Sequence, residues 1–420
     1  MKILFIANEV PFPPDNGIRI PSYHAMRLMH AAGHELGLAV LTAETEEVEN
    51  RFKSVSTLLC DGRGFLKKLP WRNPFGIQIA AMLKHELYFV ERYNSTEFRR
   101  SLNCMIEKFQ PDVIHFDVVT MVQYWNVTPS GIGTVASIND SYALTLENAF
   151  LAGHYRGLEY VYRKWQYFGA RNYERLTYAK FNQVHVMSDI DKEYLQELNS
   201  NLKVAVIPNG AENSLFDVAS GTQSKSDIIF VAKLAGPHLN ALQKFLNHSW
   251  PIVKQRHPNV TLYVVGKIGP DAQKLQAQYD LNSGVKFTGY VEELAEVYRM
   301  CGIAIAPINQ NCGIVNKVIE AMAAGLAVVG FEKTFSGIPL GKPGIHFVQA
   351  MDYENMAREI VGLLNNKIRC DEIKRAGHEL ARKHYSWSSR KDAYAQMYER
   401  AAEAARNILD GERRERGIPK

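Results

Sequence analysis

The residues best placed to do chemistry lie between Asn309 and Val329. A strand-like run, Ile303 to Ala306, ends at Pro307, and a polar loop containing Cys312, Gly313, Ile314 and Val315 follows. A helical pattern then begins at Asn316, and asparagine is a favoured N-cap. The start of such a helix points free N–H groups and a partial positive charge at the loop, which suits an anion. Lys317 and Glu320 stand three apart and share one helix face. Lys317 and the N–H groups suit a phosphate, and Glu320 suits the two hydroxyls of a ribose. Ala321, Met322, Ala323 and Ala324 are small enough for tight packing, and Gly325 is placed to end the helix. A surface Lys–Glu pair on an ordinary amphipathic helix has the same pattern, so the reading depends on what surrounds it.

Two further segments carry candidates. Lys233 follows a strand-like run, Ile228 to Ala232, at a strand end where a solvated lysine is also ordinary. The first loop, Val10 to Arg19, is stiffened by Pro11, Pro13 and Pro14, and Gly17 permits close backbone approach. Taken alone, this is a rigid strand–helix loop. No GxGxxG follows the first strand, which argues against a dinucleotide enzyme. His115 and Asp140 sit at or near strand ends and are candidates for an acceptor or sugar hydroxyl, although His115 fits a core histidine equally well. Cys312 is a weaker candidate for sugar contact.

The elements that must position these residues alternate between strands and helices. Continuous apolar runs at Lys2–Asn8, Glu35–Leu41, Asp112–Phe116, Thr134–Ile138, Val184–Met187 and Val204–Ile207 read as buried parallel strands. Pro208-Asn209-Gly210 is a turn, and Ala219 to Asp227 reads as a linker. The alternation then restarts, with strands predicted at Ile228, Thr261, Val285, Ile303, Ala327 and His346. This predicts an α/β protein of two Rossmann-like, doubly wound domains facing each other across a cleft. The expected domains are 1–218 and 219–387, with a final helix at 388–410 packing back on the first.

The chain has 420 residues, 46% hydrophobic and 22% charged, enough for two ordinary cores. A net charge of +5 suits nucleotide phosphates or an anionic membrane surface and is too small to argue for nucleic acid. Five scattered cysteines with no CxxC pair suggest neither zinc nor disulfides, and fit a reducing, cytoplasmic setting. No apolar stretch is long enough to span a bilayer. A basic–aromatic stretch holding Arg63, Phe65, Lys67, Lys68, Trp71, Arg72 and Phe75, with the aromatic helix around Arg156 to Arg175, suits peripheral association with the inner face of an anionic membrane.

Taken in order, these segments resemble retaining GT-B glycosyltransferases of family 4. Asn316-Lys317-Val318-Ile319-Glu320-Ala321-Met322-Ala323 resembles a signature of exopolysaccharide sugar transferases in that family. Glu320 matches the glutamate that the family uses on the donor ribose, and the family's first glutamate falls on Cys312. Phe230 to Leu234 resembles the family's F-V-G-R-L, with Lys233 in place of the arginine, and its second basic residue falls on His238. The proline-rich first loop, through Gly17 and Arg19, is similar to that of the same subgroup.

The resemblance implies transfer of a sugar from a nucleotide-sugar donor to a glycan or lipid-linked acceptor, in polysaccharide or surface-glycan assembly. Lys233, Lys317 and Asp140 would be catalytic. Gly17, Arg19, Lys233, Gly313, Ile314, Val315, Asn316, Lys317 and Glu320 would bind the donor. No cofactor or metal is expected, since lysines and helix ends replace Mg²⁺. Cys312 keeps a second reading open, that of a non-catalytic subunit binding a nucleotide sugar or a partner. A sugar-nucleotide epimerase of the same shape is a third.

Overall fold

The computed structural model describes residues 1–43, 47–84, 86–151, 153, 155–219, 225–279, 283–291, 293–308 and 315–415, the last three by backbone alone. The chain forms two compact units: Met1–Pro208 together with Lys391–Lys420, and Asn209–Arg390. The division falls at the Pro208-Asn209-Gly210 turn, ahead of the stretch read as linker. Ala211, Leu215, Phe216 and Val218 are buried in the core of the second unit.

The first unit holds β1 (Lys2–Ala7), β2 (Glu35–Thr42), β3 (Gly64–Lys68), β4 (Val113–Asp117), β5 (Gly133–Asn139), β6 (Gln183–Val186) and β7 (Val204–Val206). They form one sheet in the order β3-β2-β1-β4-β5-β6-β7, with every pairing parallel. Helices cover both faces of such a sheet, so its strands are apolar on both sides. Ile3 to Ala7 and all of β5 are accordingly buried.

β3 was not foreseen, because it is short, only half-buried and carries two lysines in five residues. Phe65 packs on Phe98 with ring centroids 5.5 Å apart, while Lys67 and Lys68 pair with Glu97 and Glu49. The first half of the basic–aromatic stretch is therefore an edge strand. The Asn94-Ser95-Thr96 sequon also has a structural use: Ser95 caps the helix Thr96–Phe109 by accepting the Phe98 N–H.

The helix Lys391–Glu415 packs across β4, β5 and β6. Gly133 permits the approach, since a Cβ there would lie 2.7 Å from the Ala401–Ala402 backbone. Two tyrosines of this helix meet two buried histidines of the sheet. Tyr398 Oη lies 2.9 Å from His115 Nδ1, and the Tyr394 ring meets His185 edge-on at 5.5 Å. His185 is further held by Ser137 and the Ile207 carbonyl, and burial lowers it to about 4.

The second unit holds β8 (Asp227–Val231), β9 (Leu262–Val265), β10 (Val285–Gly289), β11 (Cys301–Ala306), β12 (Ala327–Phe331) and β13 (Val348–Ala350). Their order is β10-β9-β8-β11-β12-β13, again all parallel. In both sheets the chain winds one way for three strands, then returns beside its starting strand and winds the other way. The order therefore reverses between β1 and β4 in one unit and between β8 and β11 in the other. Ligands of doubly wound sheets bind outside the carboxyl ends of the strands at such points.

Candidate functional site

The reversal point of the second unit brings the sequence candidates together. Ala232 and Lys233 leave the end of β8, and Pro307 and Ile308 leave the end of β11. Between them lies a cavity of about 150 Å³. Lys233, His238, Tyr298, Ile308, Val315 and Lys317 line it. Lys233 and Lys317 are 84 residues apart in sequence and border one space. Lys233 is exposed and has no ion pair among the described residues.

The helix Asn316–Ala323 begins at this cavity. Asn316 is its first residue rather than its N-cap. Val315 occupies the cap position and makes no side-chain cap bond. The reason is tertiary: the Asn316 carboxamide oxygen accepts from Asn209 Nδ2 at 3.1 Å, so it is turned away from its own helix. Val318 N–H already donates to the Val315 carbonyl at 2.9 Å, and without a side-chain cap the N–H groups of Asn316 and Lys317 keep their capacity to bind an anion. Gly325 ends the helix at φ +76°, a left-handed position that glycine adopts without strain.

Lys317 Nζ reaches both Glu320 carboxylate oxygens, at 3.0 and 2.8 Å. Glu320 is the more enclosed partner, with 15% of its side chain accessible against 44% for Lys317. Burial lowers the His238 pKa, so the imidazole is neutral at pH 7 and acts there as a hydrogen-bonding group, not as a cation. Sequence reasoning missed Tyr298. It is fully buried, lines the cavity, and its hydroxyl has no hydrogen-bond partner among the described residues. No local pattern marks it, because Tyr298 sits on the short helix Leu294–Met300 as an ordinary inward aromatic.

Gly266 holds the rim of this site. Its φ is +151°, and a Cβ there would lie 1.8 Å from the Ala232 carbonyl oxygen. The carbonyl cannot yield cheaply, because Ala232 N–H is bonded to Val265 O at 3.0 Å. Gly266→Ala should destabilise the protein by about 2–3 kcal/mol and move Lys233. Denaturant unfolding checks this, and an unchanged midpoint would contradict it.

The reversal point of the first unit gathers a different set. Arg19 is buried, and its guanidinium binds Glu9 at 2.8 Å and Asp15 at 3.2 Å. Asn16 Oδ1 receives the Ile18 and Arg19 N–H groups, and Asn16 Nδ2 donates to Glu9. Arg19 thus ties the first loop together from within. Gly17 is exposed, and a Cβ on it would meet nothing.

His115 is in the core, against Tyr398, with its ring tilted 34° to that of Phe5 at 4.6 Å between centroids. Burial and neighbouring His185 hold its pKa well below the usual value, so it is a neutral packing group here. The residue that reaches the strand end is Asp117, which sequence reasoning passed over. It is buried, its Oδ1 has no partner among the described residues, and burial pushes its carboxyl up to about 7. Ser22 and the Val118 N–H offset part of that rise, and Glu9 adds to it.

Val118 then takes φ +57°, a strained conformation for a β-branched residue and one that clusters at functional sites. At the end of β5, Asn139 takes φ +66°, and its buried Oδ1 likewise has no partner among the described residues. Asp140 follows at the surface. Packing around it and the adjacent Asp191 raise its carboxyl to about 6. Glu174 anchors this corner, accepting from Ser141 Oγ and from the N–H groups of Tyr142 and Ala143.

Cys312, Gly313 and Ile314 lie outside the described residues. Among the described residues no group of three or more His, Cys, Asp and Glu is placed to hold a metal, and no helix is long and apolar enough to cross a membrane.

Two family models match the chain in succession. Residues 17–214 match Glycosyltransferase Family 4, and residues 225–366 match Glycosyl transferases group 1. An uncharacterised 44.6 kDa protein in the cps region of Klebsiella pneumoniae is 22% identical over 401 residues, covering 89% of this chain and 93% of that protein. Among solved structures, sucrose-phosphate synthase from Thermosynechococcus elongatus superposes with a TM-score of 0.68 at 15% identity, over 96% of this chain and 100% of that one. Anabaena HepE, solved with UDP-glucose, has a TM-score of 0.59 at 14% identity over 94% and 98%. TarM has a TM-score of 0.64 at 11% identity over 94% and 98%.

Proposed function

Since this chain is a glycosyltransferase of the GT-B fold, we propose that it transfers a sugar, with retention of anomeric configuration, from a nucleoside-diphosphate sugar to a glycan or lipid-linked acceptor of a surface polysaccharide. One observation carries the donor side: Lys233 and Lys317 border a single cavity at the β8/β11 reversal point, with Glu320 one turn into the helix that starts there.

Each residue has a role that follows from its chemistry. Lys233, Lys317 and the first-turn N–H groups of Asn316–Ala323 neutralise the diphosphate as it leaves. A phosphate at this position competes with Glu320 for the Lys317 ammonium, which frees the Glu320 carboxylate to accept from the ribose hydroxyls. Lysines supply the positive charge here, so no metal ion is required in this scheme. The UDP-glucose in the HepE structure supports the choice of donor class. The cps-region relative supports a surface glycan as the destination.

On the acceptor side, Asp117 and Asp140 stand at the ends of β4 and β5 with carboxyls raised toward neutrality. Both suit hydrogen bonding to sugar hydroxyls. Gly17 leaves open space beside the first loop, and Arg19 keeps that loop in shape.

The test is donor binding by calorimetry across UDP-, GDP- and ADP-sugars, with wild type beside Glu320→Ala. One donor should bind, and the variant should lose about tenfold, or about 1.4 kcal/mol. If no sugar nucleotide binds, or the variant binds unchanged, the assignment of this site is wrong.

A further inference from the structure

One surface of the first unit is apolar without serving its core. The helix Pro74–Lys84 buries Ile77 and Ala81 and turns Phe75, Ile79, Met82 and Leu83 outward. Trp71, just before it, is 82% exposed, and Leu83 is 77% exposed. A second helix, Gly157–Thr177, presents Leu158, Val161 and Phe168 outward at helical spacing. The Tyr162 side chain hydrogen-bonds Gln78, which joins the two helices. Monomeric soluble proteins rarely expose apolar groups so densely without a partner.

Cations outnumber carboxylates around this face. Residues 64–84 contain four cations and no carboxylate. Arg72 and Lys84 flank the first helix, and both are gripped from below by the buried Glu91, at 2.5 and 2.6 Å. Burial alone would raise the Glu91 carboxyl, but the two cations hold it below its ordinary value. Arg92 Nη1 bonds the Pro70 carbonyl at 3.0 Å and pins the turn that displays Trp71. On the second helix Arg156, Arg163 and Lys164 outnumber Glu159. A second copy of this chain, docked face to face, would set these cations against one another. An anionic surface complements them.

We propose that this face docks the enzyme on an anionic phospholipid bilayer. Trp71, Phe75, Ile79, Met82, Leu83 and Leu158 enter the boundary between headgroups and acyl chains, and the flanking cations meet the headgroup phosphates. The docking is independent of which sugar the enzyme transfers.

The test is co-sedimentation of the full chain with vesicles of phosphatidylcholine alone or mixed with phosphatidylglycerol, at low and high salt. The wild type should partition about tenfold or more in favour of the anionic vesicles, and high salt should weaken it. A triple variant, Trp71→Ser, Phe75→Ser and Leu83→Ser, should lose about tenfold or more of that partitioning. All three side chains are exposed, so its melting temperature and sugar-nucleotide binding should match wild type. Equal partitioning to both vesicle types, or a triple variant that still binds, overturns the proposal. So does a wild type that self-associates in solution and becomes monomeric in the triple variant, because the face would then be an interface between copies.

Discussion

Lys317→Ala should lower kcat/KM for sugar transfer by about 10²–10³, or about 3–4 kcal/mol, with little change in stability. The two effects separate because the ammonium has a small structural role. Its only described ion pair is with Glu320, three residues on along an exposed helix face, and such a pair contributes well under 1 kcal/mol. It lines the same cavity as Lys233, and in the proposed mechanism that places charge where the diphosphate would depart. A loss confined to KM would mean that Lys317 holds ground-state donor and transition state equally. A variant within about threefold of wild type in kcat/KM would remove Lys317 from the mechanism. Lys317→Arg should recover part of the rate, since it restores the charge with a different geometry.

The second large effect concerns Asp117 and pH. Its carboxyl rises from the usual 3.8 to about 7 on folding, so the folded state holds a proton that the unfolded chain releases. Stability from this group is fully present below about pH 4 and is lost as pH rises to about 7. Three pH units at 1.36 kcal/mol each give as much as about 4 kcal/mol. Asp117→Asn keeps the shape of the protonated acid and cannot ionise. The difference in unfolding free energy between variant and wild type should therefore grow in the variant's favour from pH 4 to pH 7. Glu174 and Asp140 are also raised, but they are present in both proteins and drop out of the difference. Urea unfolding of the pair across that range measures it. A constant difference would mean that Asp117 is ionised throughout, held by a partner outside the described residues.

If Asp117 also contacts the acceptor, Asp117→Asn should raise the acceptor KM and flatten its pH dependence near neutrality, with donor affinity unchanged. Donor and acceptor effects part in this way because the two reversal points carry different chemistry. The β8/β11 point is cationic and suits phosphate. The ends of β4 and β5 carry the buried Asp117 carboxyl and Asn139 carboxamide oxygens, which have no partner among the described residues and suit hydroxyl donors.

What the sequence determined by itself was the class of fold and the local helix that carries the candidate donor residues. Runs such as Ile3–Ala7 and Ile303–Ala306 are apolar on both faces, and only a strand covered on both sides demands that. The segment Asn316–Gly325 carries its helix start, charged pair and glycine stop within ten residues, so local rules sufficed. What only tertiary structure decided were matters of partnership over long separations. His115 became core because Tyr398, 283 residues away, lies on it. Asn316 gave up its cap because Asn209, 107 residues earlier, holds its carboxamide. Arg19 closes its own loop because Glu9 and Asp15 converge on its guanidinium. Asp117 and Tyr298 are unremarkable in sequence, and become functional candidates only when folding buries a polar atom of each that has no partner among the described residues. Burial and partnership are properties of the packed chain, and no spacing along the sequence encodes them.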